Sequence, residues 1–354
     1  MKKNLIFVIV VFLHIAGVLA QQPFEAKITI RVIDELGRPV TNAPVSSSTI
    51  ESYREGTAWW GDVPNYHGIT VYTDGRGIAE MVVPKTESAL TYGVRNIPGY
   101  YWGGGGYNFA KSVEGRWQPW NPTVELTLKA IGVQVPLYAR MVLEQKMPNQ
   151  GVPIGFDLML GDWVSPYGKG KTPDFIFQMD SAPTKTITNT VPAYNNGTRT
   201  WTQNLWDNRI VIRFSNQGDG IRFVAGDSSS GLPLPRLAPL DGYESTLNKR
   251  AWLEPGTNFV KGMPYGDVFI KEHSDYQKDA NYFFRVRTQT NSSGAIVSAL
   301  YGKIYGDIVG LNFGHGRIGF TYYLNPEPNS RNMEFDPKKN LFKNLKPMEQ
   351  VTAP

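Results

Sequence analysis

The chain has 354 residues, a formal net charge of +5 and no cysteine, which excludes disulfides, thiol catalysis, thiolate zinc sites and iron–sulfur clusters. Its basic residues are scattered among acidic ones, so the charge footprint of a nucleic-acid-binding protein is missing and we expect no nucleic-acid partner. Aromatic residues make up 12% of the chain, beside 36 glycines and 25 prolines, a composition typical of short strands joined by many turns.

The first twenty residues predict a secretory signal peptide. A basic start at Lys2 and Lys3 precedes an apolar run over residues 5–13, and small residues lead up to Ala20. Signal peptidase recognises this pattern, so we expect cleavage after Ala20 and a secreted or periplasmic protein. The apolar run is short for a transmembrane helix, so we expect no stable membrane insertion after cleavage. Export of a chain without cysteine favours a bacterial envelope protein.

The part of the chain after the signal peptide predicts a series of strands. Residues 26–33 alternate apolar and polar side chains, as a half-buried strand does, and residues 40–45 follow as a second strand. Residues 69–73 and 78–83 predict two strands around a tight glycine turn. Residues 123–129 alternate again and are expected to close the domain.

Two turn motifs in this region resemble those of a known family. The pattern V-x-D-x-x-G-x-P-V-x-x-A-x-V is carried by Val32, Asp34, Gly37, Pro39, Val40, Ala43 and Val45. A T-D-G-x-G-x-A turn follows at residues 73–79. Together they resemble the carboxypeptidase regulatory-like (prealbumin-like) module and related bacterial Ig-like modules, over a first domain that we place at residues 21–130. The resemblance implies a non-catalytic β-sandwich that serves as a spacer, a folding support or a binding element.

The rest of the chain predicts a second domain of strands. We place a linker at residues 131–151, the second domain at 152–345 and a flexible tail at 346–354. No segment keeps a helical period for three turns, so we predict an all-β protein in which an Ig-like/prealbumin-like sandwich precedes a second antiparallel β-sandwich. The predicted strands of the second domain cover residues 156–160, 174–178, 209–214, 220–224, 282–287, 296–304 and 319–324. Two stretches, residues 155–175 and 322–342, resemble an uncharacterised family of secreted bacterial proteins, which implies no mechanism.

The sequence offers little metal or phosphate chemistry. Beyond the signal peptide its three histidines lie far apart, so we expect no metal site and no cofactor. Asp219 and Asp227 lie in loops, and the sequence leaves two interpretations open for them, calcium ligands or solvated turn residues. The stretch at residues 167–172 has two lysines among glycines, but its glycine spacing is not that of a phosphate-binding loop, so we interpret it as a surface turn.

Carboxylates of the second domain leave an enzymatic alternative open. Glycoside hydrolysis needs two carboxylates at a suitable separation. Asp157 and Asp162 flank one short apolar strand, and Glu272 and Asp275 lie beside His273. Asp157 and Asp162 are five residues apart and would face opposite sides of an unbroken strand. Whether the protein is an enzyme is therefore uncertain, and the absence of a recognisable catalytic constellation favours a non-catalytic one.

Aromatic residues in two long insertions of the first domain are the most suggestive feature. Loops on a rigid sandwich commonly form binding surfaces, and flat rings can stack on sugars or anchor a protein interface. The alternative is that these rings plug the open end of the sandwich. We predict a ligand surface formed by Trp59, Trp60, Tyr101, Trp102, Trp117 and Trp120.

These observations predict a non-catalytic secreted or periplasmic envelope protein that binds a carbohydrate or protein partner through its aromatic loops. One alternative is a polysaccharide hydrolase that uses second-domain carboxylates. Another is a structural component of the envelope or cell surface, in which the first domain is a spacer.

Overall fold

The computed structural model describes residues 24–55, 63–192, 198–255, 270–309 and 316–354, and the chain divides after Leu128 into two compact units. The described residues form strands and two short 3₁₀ helices, with no α-helix among them. None of the described residues belongs to a helix that could cross a membrane. The prediction of an all-β fold is therefore confirmed.

Unit 1 is a sandwich of two sheets. One sheet has the order β4-β1-β8-β7 with β9 beside β1, and the other has the order β3-β2-β5-β6. Its strands are β1 Phe24–Asp34, β2 Pro44–Arg54, β3 Val63–Tyr72, β4 Ile78–Thr86, β5 Ala89–Val94, β6 Gly103–Asn108, β7 Lys111–Val113, β8 Arg116–Gln118 and β9 Thr123–Leu128. Strand β1 pairs antiparallel with β4 and parallel with β9.

The alternation predicted from the sequence builds the core of unit 1. Ala26, Ile28, Ile30 and Val32 are all fully buried, because alternate residues of β1 point to the same face of the sheet. They pack against alternate residues of the opposite sheet, including Val94. The prediction that the first domain is a β-sandwich is confirmed.

In both turn motifs of unit 1, the side chain of an aspartate accepts hydrogen bonds from the backbone of the turn. The side chain of Asp34 accepts hydrogen bonds from the backbone N–H of Leu36 and Arg38, both at 2.9 Å. In the same way, Asp74 accepts from the N–H of Arg76 and Ile78. Gly77 has a φ of 75°, and a Cβ there would lie 2.5 Å from the backbone oxygen of Val32, so the second motif requires glycine at this position.

Unit 2 is a second sandwich, with sheet orders β12-β11-β13-β14-β16-β17 and β10-β20-β19-β18-β15. Every strand pairing in these two sheets is antiparallel, which confirms that part of the prediction. Its strands are β10 Tyr138–Lys146, β11 Ile154–Asp157, β12 Asp162–Trp163, β13 Phe175–Pro192, β14 Thr198–Arg213, β15 Gly220–Ala225, β16 Thr246–Pro255, β17 Ile270–Ser274, β18 Ala280–Thr290, β19 Ile296–Val309 and β20 Arg317–Leu324. The 3₁₀ helices are η1 Pro337–Lys339 and η2 Pro347–Glu349.

The core of unit 2 is a cluster of aromatic rings between the two sheets. Phe156 and Phe175 of the six-stranded sheet meet Phe284 and Phe320 of the five-stranded sheet. Ring centres are 5.0 Å apart for Phe175 and Phe284, and 5.7 Å apart for Phe156 and Phe320. Edge-to-face contacts of this kind add to the stabilisation from burial.

The predicted linker and the predicted flexible tail are wrong. Residues 131–151 contain β10, which pairs with β20 from Tyr138↔Leu324 onward and is part of the second sandwich. In the tail at 346–354, Glu349 forms an ion pair with Arg140 at 2.8 Å, and Val351 is buried beside Phe335. Apolar side chains of both segments pack on the outer face of the five-stranded sheet.

Candidate functional site

Within the part of the chain that the structure describes, the predicted aromatic residues do not come together as one site. Trp59 and Trp60 lie outside the described residues. Trp117 is 1% exposed, its indole Nε1 donates to the backbone oxygen of Thr86 at 2.9 Å, and its ring contacts Phe24. Trp117 is a core residue, so its assignment to a ligand surface is wrong, and for this ring the alternative of sandwich packing is correct.

The other aromatic residues of the predicted surface are separated. Tyr101 is half-buried, while Trp102 and Trp120 are 43% and 37% exposed. Trp102 precedes Gly103, which lies against Leu128 at the end of β9, whereas Trp120 lies just before β9 begins. The two exposed rings therefore lie at opposite ends of β9. Each is already covered in part by an arginine, Arg95 for Trp102 and Arg116 for Trp120.

Asp157 and Asp162, two of the carboxylates weighed for glycoside hydrolysis, hold a loop together. The oxygens of Asp157 accept hydrogen bonds from four backbone N–H groups, two of them at Lys171 and Thr172. Asp162 accepts from the N–H of Trp163 and Lys169. Burial opposes ionisation, but the hydrogen bonds from Lys171 and Thr172 outweigh it and hold the pKa of Asp157 below its usual value. The lysine and glycine turn is thus fixed by carboxylates, not by a phosphate.

A buried ion cluster completes this corner of unit 2. Arg287, in the left-handed region with a φ of 55°, forms two hydrogen bonds with Asp174, at 2.7 and 2.9 Å, and one with Asp157 at 3.2 Å. Asp174 also accepts from the N–H of Leu158. Both carboxylates therefore have their oxygens occupied by donors, which leaves none for a substrate.

We expect Arg287→Met to lower the free energy of unfolding by about 3 to 5 kcal/mol, because it leaves two buried carboxylates without a cation. The matched control is Arg317→Met, which removes an exposed partner of Glu144 at 3.6 Å and should cost under about 1 kcal/mol. Urea denaturation measures both. Equal losses in the two variants would show that the cluster is not stabilising.

The two aspartates considered for calcium are also engaged. Asp219 accepts from the backbone N–H of Thr288 at 2.8 Å and from the side chain of Asn216. Asp227 pairs with Lys129 at 2.8 Å and accepts from Ser229. Across the described ranges, no three histidine or carboxylate side chains come together as metal ligands would. Both aspartates act as turn residues.

Unit 2 contains a cleft that none of these predictions anticipated. It has a volume of about 620 Å³ and lies where β15 and β18 of one sheet meet β16 and β17 of the other. Aromatic, amide and charged side chains line it together. The lining residues are Phe223, Leu247, Asn248, Lys249, Ser274, Asp275, Tyr276, Gln277 and Tyr282.

The cleft presents two exposed aromatic rings. Phe223 and Tyr276 are 52% and 51% exposed. The ring of Phe223 makes an edge contact with the buried ring of Tyr282, with the ring centres 6.0 Å apart. That contact supports Phe223 from below and leaves part of its surface free for a ligand.

A buried ion pair lies beneath the cleft. Lys249 Nζ is 2.8 Å from Asp307 Oδ2, and the two side chains are 6% and 0% exposed. Asp307 also accepts from the hydroxyl of Tyr282 and from the backbone N–H of Gln277 and Ile308. With four donors on its two oxygens, Asp307 orients its neighbours.

The same pair fixes the loop that follows β17. Lys249 Nζ donates to the backbone oxygen of Asp275 at 3.2 Å. Asp275 and Arg250 exchange two hydrogen bonds, from the Asp275 N–H to the Arg250 oxygen and from the Arg250 N–H to the Asp275 carboxylate. Tyr276 N–H donates to the Ser274 hydroxyl. The loop that carries Tyr276 is therefore preorganised.

Another large ring nearby is not available to a ligand. Trp252, on the outer side of the six-stranded sheet, is stacked on His273 with ring centres 4.8 Å apart. The guanidinium of Arg250 lies 4.4 Å from the centre of the same ring. Two groups cannot share one face at these distances, so both faces of Trp252 are covered. The cleft is thus the better candidate site on this part of the chain.

One local pattern in the sequence points to the cleft. Leu247, Lys249, Ala251 and Leu253 alternate along β16, and the apolar members of this series point inward. A lysine in an inward position of a strand must find a partner. This pattern marks Lys249, although it identifies neither Asp307 nor the exposed rings.

Comparison with known proteins finds a weak structural likeness to bacterial pilins. No family model matches the sequence, and no curated protein matches it. A crystal structure of the shaft pilin SpaA from Lactobacillus rhamnosus GG is 8% identical, covering 56% of this chain and 90% of that chain with a TM-score of 0.19. The full-length major pilin SpaD from Corynebacterium diphtheriae is 8% identical, covering 88% of this chain and 83% of that chain with a TM-score of 0.23. At TM-scores this low, the likeness carries no argument about what this chain does.

Proposed function

We propose that this protein is a non-catalytic, secreted protein of the bacterial envelope that binds a neutral carbohydrate in the cleft of unit 2. The observation that carries the proposal is the cleft itself, in which two half-exposed rings, Phe223 and Tyr276, stand beside polar side chains on a preorganised loop. Unit 1 then has the non-catalytic role that its resemblance to carboxypeptidase regulatory-like modules implies. Secretion rests on the predicted signal peptide, which lies outside the described residues.

The chemistry of the lining favours a sugar over other ligands. Aromatic faces stack on the C–H faces of pyranose rings, while amides and carboxylates bond to their hydroxyl groups. Asn248, Gln277 and Asp275 supply such groups in the cleft. The charge of Lys249 is balanced by Asp307, so the cleft has no excess positive charge that would select an acidic saccharide.

The engaged carboxylates support binding without hydrolysis. Asp157, Asp174 and Asp307 each have their oxygens occupied by several donors. A glycosidase needs one carboxyl group that carries a proton and one that is free to attack or to activate water. Among the described residues that line the cleft, Asp275 is the one carboxylate, so this part of the chain supplies no second.

The test is a glycan-array screen of residues 21–354, followed by calorimetric titration of the best neutral glycan. Tyr276→Ala and Phe223→Ala should each weaken binding by about tenfold or more, the effect of losing a stacking ring worth roughly 1.5 kcal/mol. The control is Trp102→Ala, an exposed ring of unit 1 that should not change the affinity. Loss of binding in Trp102→Ala alone would place the site on the aromatic loops, and release of shorter sugars would favour the hydrolase alternative.

A further inference from the structure

The sheet β3-β2-β5-β6 of unit 1 has two open edges. Strand β3 pairs with β2 only and β6 pairs with β5 only, as far as the described part of the chain extends. Open edges present unpaired N–H and C=O groups, and natural proteins usually protect them with charges, prolines, bulges or a covering segment. The two edges differ in side chains.

The β6 edge carries few side chains. Four consecutive glycines, 103–106, form most of the strand. The hydrogen bond from Phe109 N–H to the Ser88 oxygen sets the register, so that odd-numbered residues bond to β5. Gly104, Gly106 and Asn108 therefore direct their backbone groups away from the sheet. A Cβ at Gly106 would meet one atom, the Leu90 oxygen at 3.5 Å, so internal packing does not require glycine there.

The β3 edge is bulky. The hydrogen bond from Thr73 N–H to the Ala43 oxygen sets its register against β2, which leaves the backbone groups of Tyr66, Gly68, Thr70 and Tyr72 directed outward. The two tyrosine side chains are 57% and 62% exposed. One edge of the sheet thus has glycine at two of its outward positions, and the other exposes two large rings.

We propose that β6 of one copy of this chain pairs with β3 of a second copy. Strands in this sheet alternate in direction along the order β3-β2-β5-β6, so a strand added beyond β6 must run in the direction of β3 to continue the antiparallel pattern. A second copy shifted sideways in the plane of the sheet places its β3 in that position. One of its two exposed tyrosines can then lie opposite an outward glycine of β6.

Pairing of β6 with β6 is the less favourable geometry. It would join two strands that carry few side chains and bury little apolar surface, whereas the pairing of β6 with β3 adds ring burial to the backbone hydrogen bonds. Because the two edges are different surfaces, the contact is heterologous. It does not close on two copies but continues into an open series.

The experiment is sedimentation velocity of residues 21–354 from low to high micromolar concentration. The wild-type protein should form species that grow past the dimer as concentration rises. Gly106→Pro and Gly68→Pro each remove one outward N–H, from β6 and β3 respectively, and should leave the protein monomeric. Gly106→Ala and Gly68→Ala keep the N–H and should associate like the wild type.

Mixing the two proline variants gives the sharpest result. Gly68→Pro keeps an intact β6 and Gly106→Pro keeps an intact β3, so the mixture should form a dimer of one copy of each and nothing larger. A wild-type protein that is monomeric at every concentration overturns the proposal, as do proline variants that associate like the wild type.

Hydrogen exchange on the wild-type protein tests the same contact without substitution, in case a proline variant does not fold. The amides of Gly104, Gly106, Gly68 and Thr70 should gain protection as concentration rises. Association without protection at these amides would overturn the proposal in favour of another interface.

Discussion

Lys249→Met is expected to lower the free energy of unfolding by about 3 to 5 kcal/mol, because it leaves the carboxylate of Asp307 buried without its cation. The substitution should also weaken glycan binding, since Lys249 holds the loop that carries Tyr276. Chemical denaturation measures the first effect and calorimetric titration the second.

Two controls separate the buried pair from a general loss of charge. Lys27→Met removes the partner of the exposed Glu80 and should cost less than about 1 kcal/mol. The double variant Lys249→Met with Asp307→Leu should be more stable than Lys249→Met alone, since no unpaired charge remains in the core. A double variant that loses the sum of the two single effects would contradict this account.

Lys303→Met is expected to raise the free energy of unfolding at pH 7 by about 3 to 5 kcal/mol. Lys303 lies on the outer side of the five-stranded sheet, is 2% exposed, and has its Nζ 4.5 Å from the ring centre of Tyr323. Burial lowers the pKa of Lys303 from 10.5 to about 7, although the carboxylate of Glu334 opposes this. The folded protein therefore disfavours the charged form of Lys303, which is well solvated in the unfolded chain.

The lowered pKa of Lys303 should also make the free energy of unfolding depend on pH. Between about pH 7 and 10 the unfolded chain binds a proton at Lys303 that the folded protein does not, so stability rises with pH by up to roughly 1.4 kcal/mol per unit. Below about pH 7 the folded and the unfolded protein both bind the proton at Lys303, so the destabilisation caused by burying this charge no longer changes with pH. Buried tyrosines such as Tyr323, whose pKa is raised by burial, oppose the trend above pH 10.

Denaturation at about pH 7 and about pH 9 therefore provides the measurement. The wild-type protein should gain stability across this interval relative to Lys303→Met, in which the gain from this group is absent. Parallel curves for the two proteins would mean that Lys303 is charged in the folded state.

Local patterns predicted part of the strands of this protein. Alternation of apolar and polar side chains along residues 26–33 predicted both the position of β1 and its buried face. Side chains of a strand alternate between the two faces of the sheet, so the apolar set must be the one that faces the core. The turns at Asp34 and Asp74 were also predictable. The side chain of an aspartate can accept hydrogen bonds from the backbone N–H groups two and four residues later, so the turn needs no partner from elsewhere in the chain.

Features that depend on long-range contact were not predictable. The sequence around β10 looks like a linker because its partner, β20, follows almost two hundred residues later. Trp117 stands among exposed-looking aromatics and is buried only because Phe24 and Phe109 close over it. The cleft needs residues from four strands and two sheets, so no local window of sequence contains it.

The parallel pairing of β1 with β9 has a mechanical consequence. These are the first and last strands of unit 1, and they are in register over six residue pairs, from Thr29↔Thr123 to Asp34↔Leu128. Tension applied between the start of β1 and the end of β9 pulls the two strands past each other along their length. Their hydrogen bonds are then loaded in shear and must break together instead of one after another, so the unit resists stretching more than its thermal stability alone would indicate.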